Sequence, residues 1–172
     1  MKRRNLLIGG ASATAVLAGV GVGLWQQGRS GASPANALWP LKFERPGGGE
    51  LRMAALCGKP LLVNFWATWC PPCVREIPLL DRFHRDHQAR GWQIVGLAAD
   101  SLAPVREFLT QHPVAFAIGL AGLGGVDLAR RLGNTTGGLP FTLVFTSTGE
   151  VAHRKLGVLT DFELDQWGRS VT

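Results

Sequence analysis

The chain is poor in cysteine and in charge, and each shortage excludes a class of protein. Only three of its 172 residues are cysteines, and 17% are charged. Small secreted domains that depend on disulfides are much richer in cysteine, so the chain is not a disulfide scaffold. Its hydrophobic content of 46% is too high for a disordered chain. At this length we expect one domain with its own core.

Basic residues are concentrated at one end of the chain. The formal net charge is +6, but residues 1–37 contain Lys2, Arg3, Arg4 and Arg29 and no acid, so they account for +4. The remaining residues hold 14 basic and 12 acidic side chains, a net charge of +2. Because this near balance leaves no basic stripe for phosphates, we expect no nucleic-acid partner.

Residues 1–37 have the pattern of an export signal, or of an N-terminal membrane anchor, followed by a linker. A basic start precedes residues 6–24, an uncharged stretch of 19 residues. That length just reaches a membrane span of roughly 17 to 25 residues, and the small-x-small sequence Ala-Asn-Ala at 35–37 offers a cleavage site instead. Either fate places residues 38–172 in the periplasm or another extracytoplasmic compartment, where disulfides persist.

The domain that follows alternates predicted strands and helices. Residues 41–44 and 50–53 alternate apolar and polar side chains around three glycines, which predicts an added N-terminal β-hairpin. Apolar runs at 60–66 and 92–99 predict two buried strands. Helical spacing over 70–90 predicts a helix between them, and this connection makes the two strands parallel.

The second half of the domain completes an α/β pattern. We first predict a helix capped by Ser101 that ends near 112, and then a weak edge element over 114–118. A short helix over 126–132 and a hairpin of strands 141–145 and 151–156 follow. The last helix begins at the capping box of Thr160 and Glu163. Helices packed on a mixed sheet of this kind form an α/β sandwich.

A Cys-x-x-Cys motif stands where the first buried strand meets its helix. Cys70 and Cys73 end the segment Asn-Phe-Trp-Ala-Thr-Trp-Cys-Pro-Pro-Cys at 64–73. At a helix N-terminus, free amides and the helix dipole stabilise a thiolate. We expect Cys70, at the exposed start, to attack disulfides and Cys73 to resolve the mixed disulfide. Pro71 and Pro72 remove two amides that could donate to sulfur, which should shift the reduction potential in a direction that spacing alone does not give.

A zinc site is the structural alternative for a cysteine pair. No second Cys-x-x-Cys or Cys-x-x-His pair is present, so the alternative is disfavoured. Cys57 is expected to be a small apolar filler beside Leu56. His84 and His87 share a helical face, but on a charged helix this spacing is typical of two solvated side chains. We therefore predict no metal site.

Together these residues resemble the thioredoxin superfamily, and within it the TlpA/ResA-like branch of membrane-anchored or exported thiol-disulfide oxidoreductases. The resemblance spans residues 38–168 and is carried by the segment 64–73, Glu76, Pro78 and the sequence Gly-Gly-Leu-Pro-Phe-Thr at 137–142. It implies a thioredoxin-like three-layer sandwich. It also implies that the redox-active disulfide of Cys70 and Cys73 acts without any other cofactor.

The resemblance assigns a substrate-binding set as well. It implies a cis bond between Leu139 and Pro140, in a loop that faces the disulfide. The backbone of Leu139 would then pair with an extended substrate segment. Trp69 and Pro72 complete the predicted set. Trp69 either contacts a partner or shields the disulfide.

Glu76 is the candidate proton acceptor. Thioredoxins proper place a buried aspartate where this chain has Asn64, and an amide cannot accept the proton that Cys73 must lose. Glu76 occupies the position of an acid found in the TlpA/ResA-like branch. The alternative is a helix-surface carboxylate paired with Arg75 or Arg82.

Three functions follow, of which the resemblance favours the first. An exported reductase would take electrons from a membrane thiol conduit and reduce disulfides of client proteins, for example in cytochrome c maturation or copper-site assembly. A net oxidant or isomerase would differ in reduction potential. A non-catalytic copper-handling protein would use Cys70 and Cys73 as soft ligands.

Overall fold

The computed structural model describes residues 37–171. One mixed sheet contains β1 (Lys42–Glu44), β2 (Glu50–Arg52), β3 (Leu61–Trp66), β4 (Gln93–Ala98), β5 (Ala117–Leu120), β6 (Phe141–Phe145) and β7 (Val151–Leu156). The α-helices are α1 (Pro71–His87), α2 (Leu102–Gln111), α3 (Gly125–Arg131) and α4 (Asp161–Ser170). None of these helices has the length and apolar character needed to cross a membrane. The predicted export signal or anchor lies outside the described residues.

The strand order of the sheet is β2-β1-β5-β4-β3-β6-β7. The three central strands β5, β4 and β3 are parallel, and β6 and β7 continue the sheet antiparallel on one side. On the other side β1 pairs antiparallel with both β2 and β5. The prediction of an edge element at 114–118 is therefore wrong. Strand β5 begins at Ala117. It is not at the edge of the sheet, because β1 pairs with it on the side away from β4.

Strand β3 is buried on both faces, and its side chains alternate between two core clusters. Leu62 and Trp66 point into a cluster that contains residues of α1, α2 and α4. Leu61, Val63 and Phe65 point into a second cluster that contains residues of α3 and of the N-terminal part of the domain. The sheet is thus the middle of three layers, which confirms the thioredoxin-like α/β sandwich.

Two helix starts show how local polar groups are satisfied. The capping box of α4 is confirmed, because Thr160 and Glu163 exchange both hydrogen bonds. Ser101 lies at the N-cap position of α2, but its side chain makes no capping hydrogen bond. The Asp100 carboxylate instead accepts the Ser101 N–H at 2.7 Å. Ser101 is therefore the N-cap residue by position, as expected, but its hydroxyl does not cap the helix.

Several chain segments meet at one edge of the sheet because of this topology. The parallel strands β3, β4 and β5 all end there, and we call it the C-terminal edge. Antiparallel β6 begins at the same edge, where Phe141 pairs with Phe65. The loop that leads to Cys70 and the loop that ends at Pro140 therefore arrive side by side.

Candidate active site

Cys70 and Cys73 form a disulfide at the N-terminus of α1. Their Cα atoms are 5.3 Å apart. Cys70 is the N-cap residue, and its Sγ accepts the backbone N–H of Cys73 at 3.4 Å. Pro71 and Pro72 occupy the first two helical positions and have no N–H. Cys73 is therefore the first residue of α1 that has an amide hydrogen to offer.

The two cysteines are more deeply placed than the sequence suggested. Cys70 is 5% exposed and Cys73 is 1% exposed. Cys73 is the more buried of the two, as expected. The expectation that Cys70 is exposed is wrong, because both cysteines pack in the first core cluster. Trp69, next to them, is 62% exposed. Its ring is accessible to a partner.

The segment before β6 contributes the other side of the site. The Leu139–Pro140 peptide bond is cis, as the resemblance implied. Pro140 is buried and its carbonyl accepts the Gly157 N–H at 2.9 Å. Leu139 is half-buried and packs against the cluster that contains both cysteines. Pro72 is half-buried at the start of α1.

Glu76 lies inside the protein, in a short hydrogen-bond network. Its side chain is 1% exposed. One carboxylate oxygen accepts Asn64 Nδ2 at 2.7 Å, and the other accepts the Leu159 N–H at 2.6 Å. Asn64 Nδ2 also donates to Thr142 Oγ1 at 3.0 Å. Strand β3, strand β6 and the segment before α4 therefore all position this carboxylate.

The alternative for Glu76, a surface carboxylate paired with arginine, is wrong. Arg75 is exposed, whereas Glu76 is buried. Arg82 forms its ion pair with Asp161 of α4 instead. Glu76 follows Cys73 by three residues and shares its helix face, so the sheet buries both.

Burial also sets the acidity of Glu76. Loss of hydration raises the pKa of its carboxyl from 4.5 to about 7, while the hydrogen bonds from Leu159 and Asn64 act to lower it. A carboxyl with this pKa is partly protonated and partly ionised at neutral pH. It can therefore both accept a proton and return one, as a general base needs to do.

Asp100 also holds the loop that carries Cys70, and this role was not predicted from the sequence. It is 7% exposed. Its carboxylate accepts the Thr68 N–H at 3.1 Å and the Thr68 hydroxyl at 2.5 Å. The signal in the sequence was an acid directly after a buried strand, at the edge where the cysteines lie. Asp100 thereby ties the end of β4 to the residues before Cys70.

Two of the remaining sequence expectations are corrected. Cys57 is a free, exposed cysteine and not an apolar filler, because it follows a 3-10 turn that leaves the core before β3 begins. His87 is buried, not solvated; its ring stacks on Phe83, and its Nδ1 lies 3.1 Å from the Phe83 carbonyl oxygen. Over residues 37–171 there is no group of three potential ligands that could hold a metal ion.

The C-terminal edge also carries exposed apolar side chains. Trp69, Leu102 and Leu123 follow strands β3, β4 and β5 in turn. The others lie around the end of β7 and the start of α4, and are Leu156, Val158 and Phe162. Leu156 pairs with Phe141, the first residue of β6. Every large hydrophobic side chain exposed in the described part of the chain thus lies at the edge that holds the disulfide.

Comparison with known proteins agrees with this geometry. The family model Redoxin matches residues 36–166. The thiol-disulfide oxidoreductase ResA of Bacillus anthracis is 27% identical over 128 residues, which is 73% of this chain and 70% of ResA. The structure of MTB dsbF has a TM-score of 0.68 and 25% identity, and the match covers 79% of this chain and 98% of dsbF.

A second solved structure gives the same result. The thiol:disulfide interchange protein of the thioredoxin family from Chlorobium tepidum TLS has a TM-score of 0.66 and 26% identity over 76% of this chain and 92% of its own. The residues that the Redoxin model matches, 36–166, contain the disulfide, the cis-proline and the buried glutamate described above. The chain therefore belongs to the Redoxin family, as a ResA-like thiol-disulfide oxidoreductase of thioredoxin fold.

Proposed function

We propose that the protein is an exported or membrane-anchored reductant of disulfides in client proteins. The thiolate of Cys70 attacks a client disulfide, and one client sulfur leaves as a thiolate. Cys73, which transfers its proton to Glu76, then attacks Cys70 Sγ and releases the second client sulfur. The client gains two electrons, and the enzyme retains the disulfide. A membrane thiol conduit returns it to the dithiol.

The hydrogen bonding of Cys70 Sγ is the observation that supports reduction over oxidation. Strong oxidants of this fold owe their potential to a highly stabilised thiolate in the reduced form. Here Cys70 Sγ accepts one backbone N–H, from Cys73 at 3.4 Å, and Pro71 and Pro72 offer none. When Glu76 ionises, its buried negative charge further disfavours a thiolate. A weakly stabilised dithiol gives up its electrons more readily.

The apolar surface at the C-terminal edge supports a polypeptide client. Trp69 and Phe162 are 62% and 73% exposed. An incompletely folded client exposes apolar side chains, and such side chains would cover these rings. Following the resemblance to ResA, apocytochromes c and copper-site assembly proteins are the clients that we propose.

The export pattern of residues 1–37 supports an extracytoplasmic location. A basic start followed by residues 6–24, which carry no charge, directs a chain to or across a membrane. The periplasm or a comparable compartment would allow the disulfide of Cys70 and Cys73 to form.

The reduction potential tests this proposal. The full chain, with Cys57→Ser to remove the third thiol, is equilibrated with glutathione buffers, and the fraction of dithiol is measured by alkylation. We expect a value nearer to that of thioredoxin, about −270 mV, than to that of DsbA, about −120 mV. A value near the latter would identify a net oxidant. Tight copper binding by the reduced protein, without disulfide exchange, would identify a copper-handling protein.

A matched variant isolates the hydrogen-bond argument. Pro72→Ala restores an N–H at the second helical position without adding charge. Because this amide can donate to Cys70 Sγ, the variant should have a less negative potential than the parent protein. An unchanged reduction potential would mean that the missing amides do not lower the potential of the parent protein.

A further inference from the structure

A buried asparagine organises the loop that precedes the cis-proline. Asn134 follows α3 and is 2% exposed. Its Nδ2 donates to the Gly138 carbonyl at 2.7 Å, and its Oδ1 accepts the Gly137 N–H at 3.0 Å. The Thr136 hydroxyl donates to the same Oδ1 at 3.3 Å. The side chain therefore uses both its donor and its acceptor within this one loop.

The loop is also tied to the helix before it. The Asn134 N–H donates to the Ala129 carbonyl in the last turn of α3 at 3.0 Å. Gly137 has a φ of +74°, and the Arg130 guanidinium lies 2.6 Å from where a Cβ would be at this position. A side chain at 137 would be strained by this φ, whereas the Arg130 side chain could move aside. Residues 134–138 are thus held chiefly by the hydrogen bonds of Asn134.

The hydrogen bond from Asn134 to the Gly138 carbonyl sets the orientation of the Leu139 N–H, the group that would face a client. The Gly138 carbonyl and the Leu139 N–H belong to one planar peptide unit and point in opposite directions. When Asn134 Nδ2 holds the carbonyl, the Leu139 N–H is turned away from Asn134. In residues 37–171 the Leu139 backbone makes no hydrogen bond of its own. It is left available for pairing.

We propose that Asn134 is a positioning residue for client binding, which presents the Leu139 backbone to an extended client strand. It touches no reacting atom and acts through the peptide unit of Gly138 and Leu139. The proposal rests on one part of the proposed function, which is that a polypeptide client pairs with the Leu139 backbone beside the disulfide. It is independent of the direction of electron flow.

The experiment compares a polypeptide substrate with a small one. Asn134→Ala is prepared in the full chain, and Thr135→Ala, an exposed neighbour without side-chain hydrogen bonds, is the control. Initial rates are measured with insulin and with glutathione disulfide, with dithiothreitol as the reductant that returns the enzyme to the dithiol and with the rate in the absence of enzyme subtracted. Loss of the Gly138 hydrogen bond should raise the KM for insulin about tenfold. The kcat, the reduction potential and the rate with glutathione disulfide should not change, because the small substrate does not need the Leu139 backbone.

A second variant covers the case in which Asn134→Ala does not fold. Asn134→Asp keeps the acceptor for the Gly137 N–H but turns an oxygen towards the Gly138 carbonyl, so it should show the same increase in KM. The proposal would be overturned if the rates with insulin and with glutathione disulfide fell equally. It would also be overturned by a shifted reduction potential, or by a KM for insulin equal to that of the parent protein. If the parent protein oxidises reduced insulin instead, the proposed direction fails. The KM comparison is then made with reduced insulin and still decides the role of Asn134.

Discussion

Asn64 Nδ2 and Glu76 Oε1 are joined by a hydrogen bond of 2.7 Å inside the protein, with the two residues 2% and 1% exposed. The amide donates to the carboxylate but cannot take up a proton itself. Any proton that moves between this network and the cysteines therefore resides on Glu76.

Glu76 should make the protein less stable as the pH rises. Its pKa of about 7 in the folded protein lies above the ordinary 4.5, so the folded state binds the proton more tightly than the unfolded state. This stabilisation is complete below pH 4.5 and is lost as the pH rises through 7, with a total of roughly 3 kcal/mol. Denaturant unfolding of the oxidised protein from pH 4 to 8 measures it. In Glu76→Gln this slope should be absent, and parallel curves for the two proteins would contradict the assignment.

The same substitution should slow the second step of disulfide exchange. Without a carboxylate to accept the Cys73 proton, release of a bound client should slow by at least about tenfold near neutral pH, since general bases contribute 10² or more. Single-turnover release from a preformed mixed disulfide is measured against pH. The parent profile should rise through pH 7, and the rise should be missing in Glu76→Gln. Identical profiles would remove Glu76 from the proton path.

The two cysteines should differ in trapping. Cys73→Ser should accumulate clients as mixed disulfides on Cys70, because nothing remains to resolve them. Cys70→Ser should trap few, since Cys73 is 1% exposed. Both variants are made with Cys57→Ser and analysed on non-reducing gels. Trapping by Cys70→Ser instead would reverse the roles of attacking and resolving thiol.

A second carboxyl at position 64 should make stability depend steeply on pH. In Asn64→Asp two carboxyls would lie within hydrogen-bond distance, and they cannot both ionise without strong repulsion. We expect a loss of several kcal/mol at pH 8 that is largely recovered at pH 5. Thr142→Val, which removes the 3.0 Å contact without adding charge, is the control and should cost about 1 kcal/mol at both pH values. Equal losses at both pH values in Asn64→Asp would contradict the repulsion.

Local patterns were sufficient for the elements around the disulfide. The apolar run that became β3, the helical spacing of α1 and the capping box of Thr160 depend on neighbouring residues. All three are present in the structure. The cis bond at Pro140 followed from the resemblance and not from the dipeptide.

Contacts between distant residues could not be predicted from local sequence. Leu159 donates to Glu76 across 83 positions of the chain, and Thr68 to Asp100 across 32. No spacing rule connects such residues. For the same reason the partner of β5 and the exposure of Cys57 were missed, since both depend on where the chain before β3 lies.

The two outer strands of the sheet have a bearing on aggregation. β2 is only three residues long, and β7 carries His153, Arg154 and Lys155. Short or positively charged outer strands discourage a further chain from adding to the ladder. Under the proposed function, these outer strands would limit fibril growth with an unfolded client, which would meet the disulfide at a different side of the sheet.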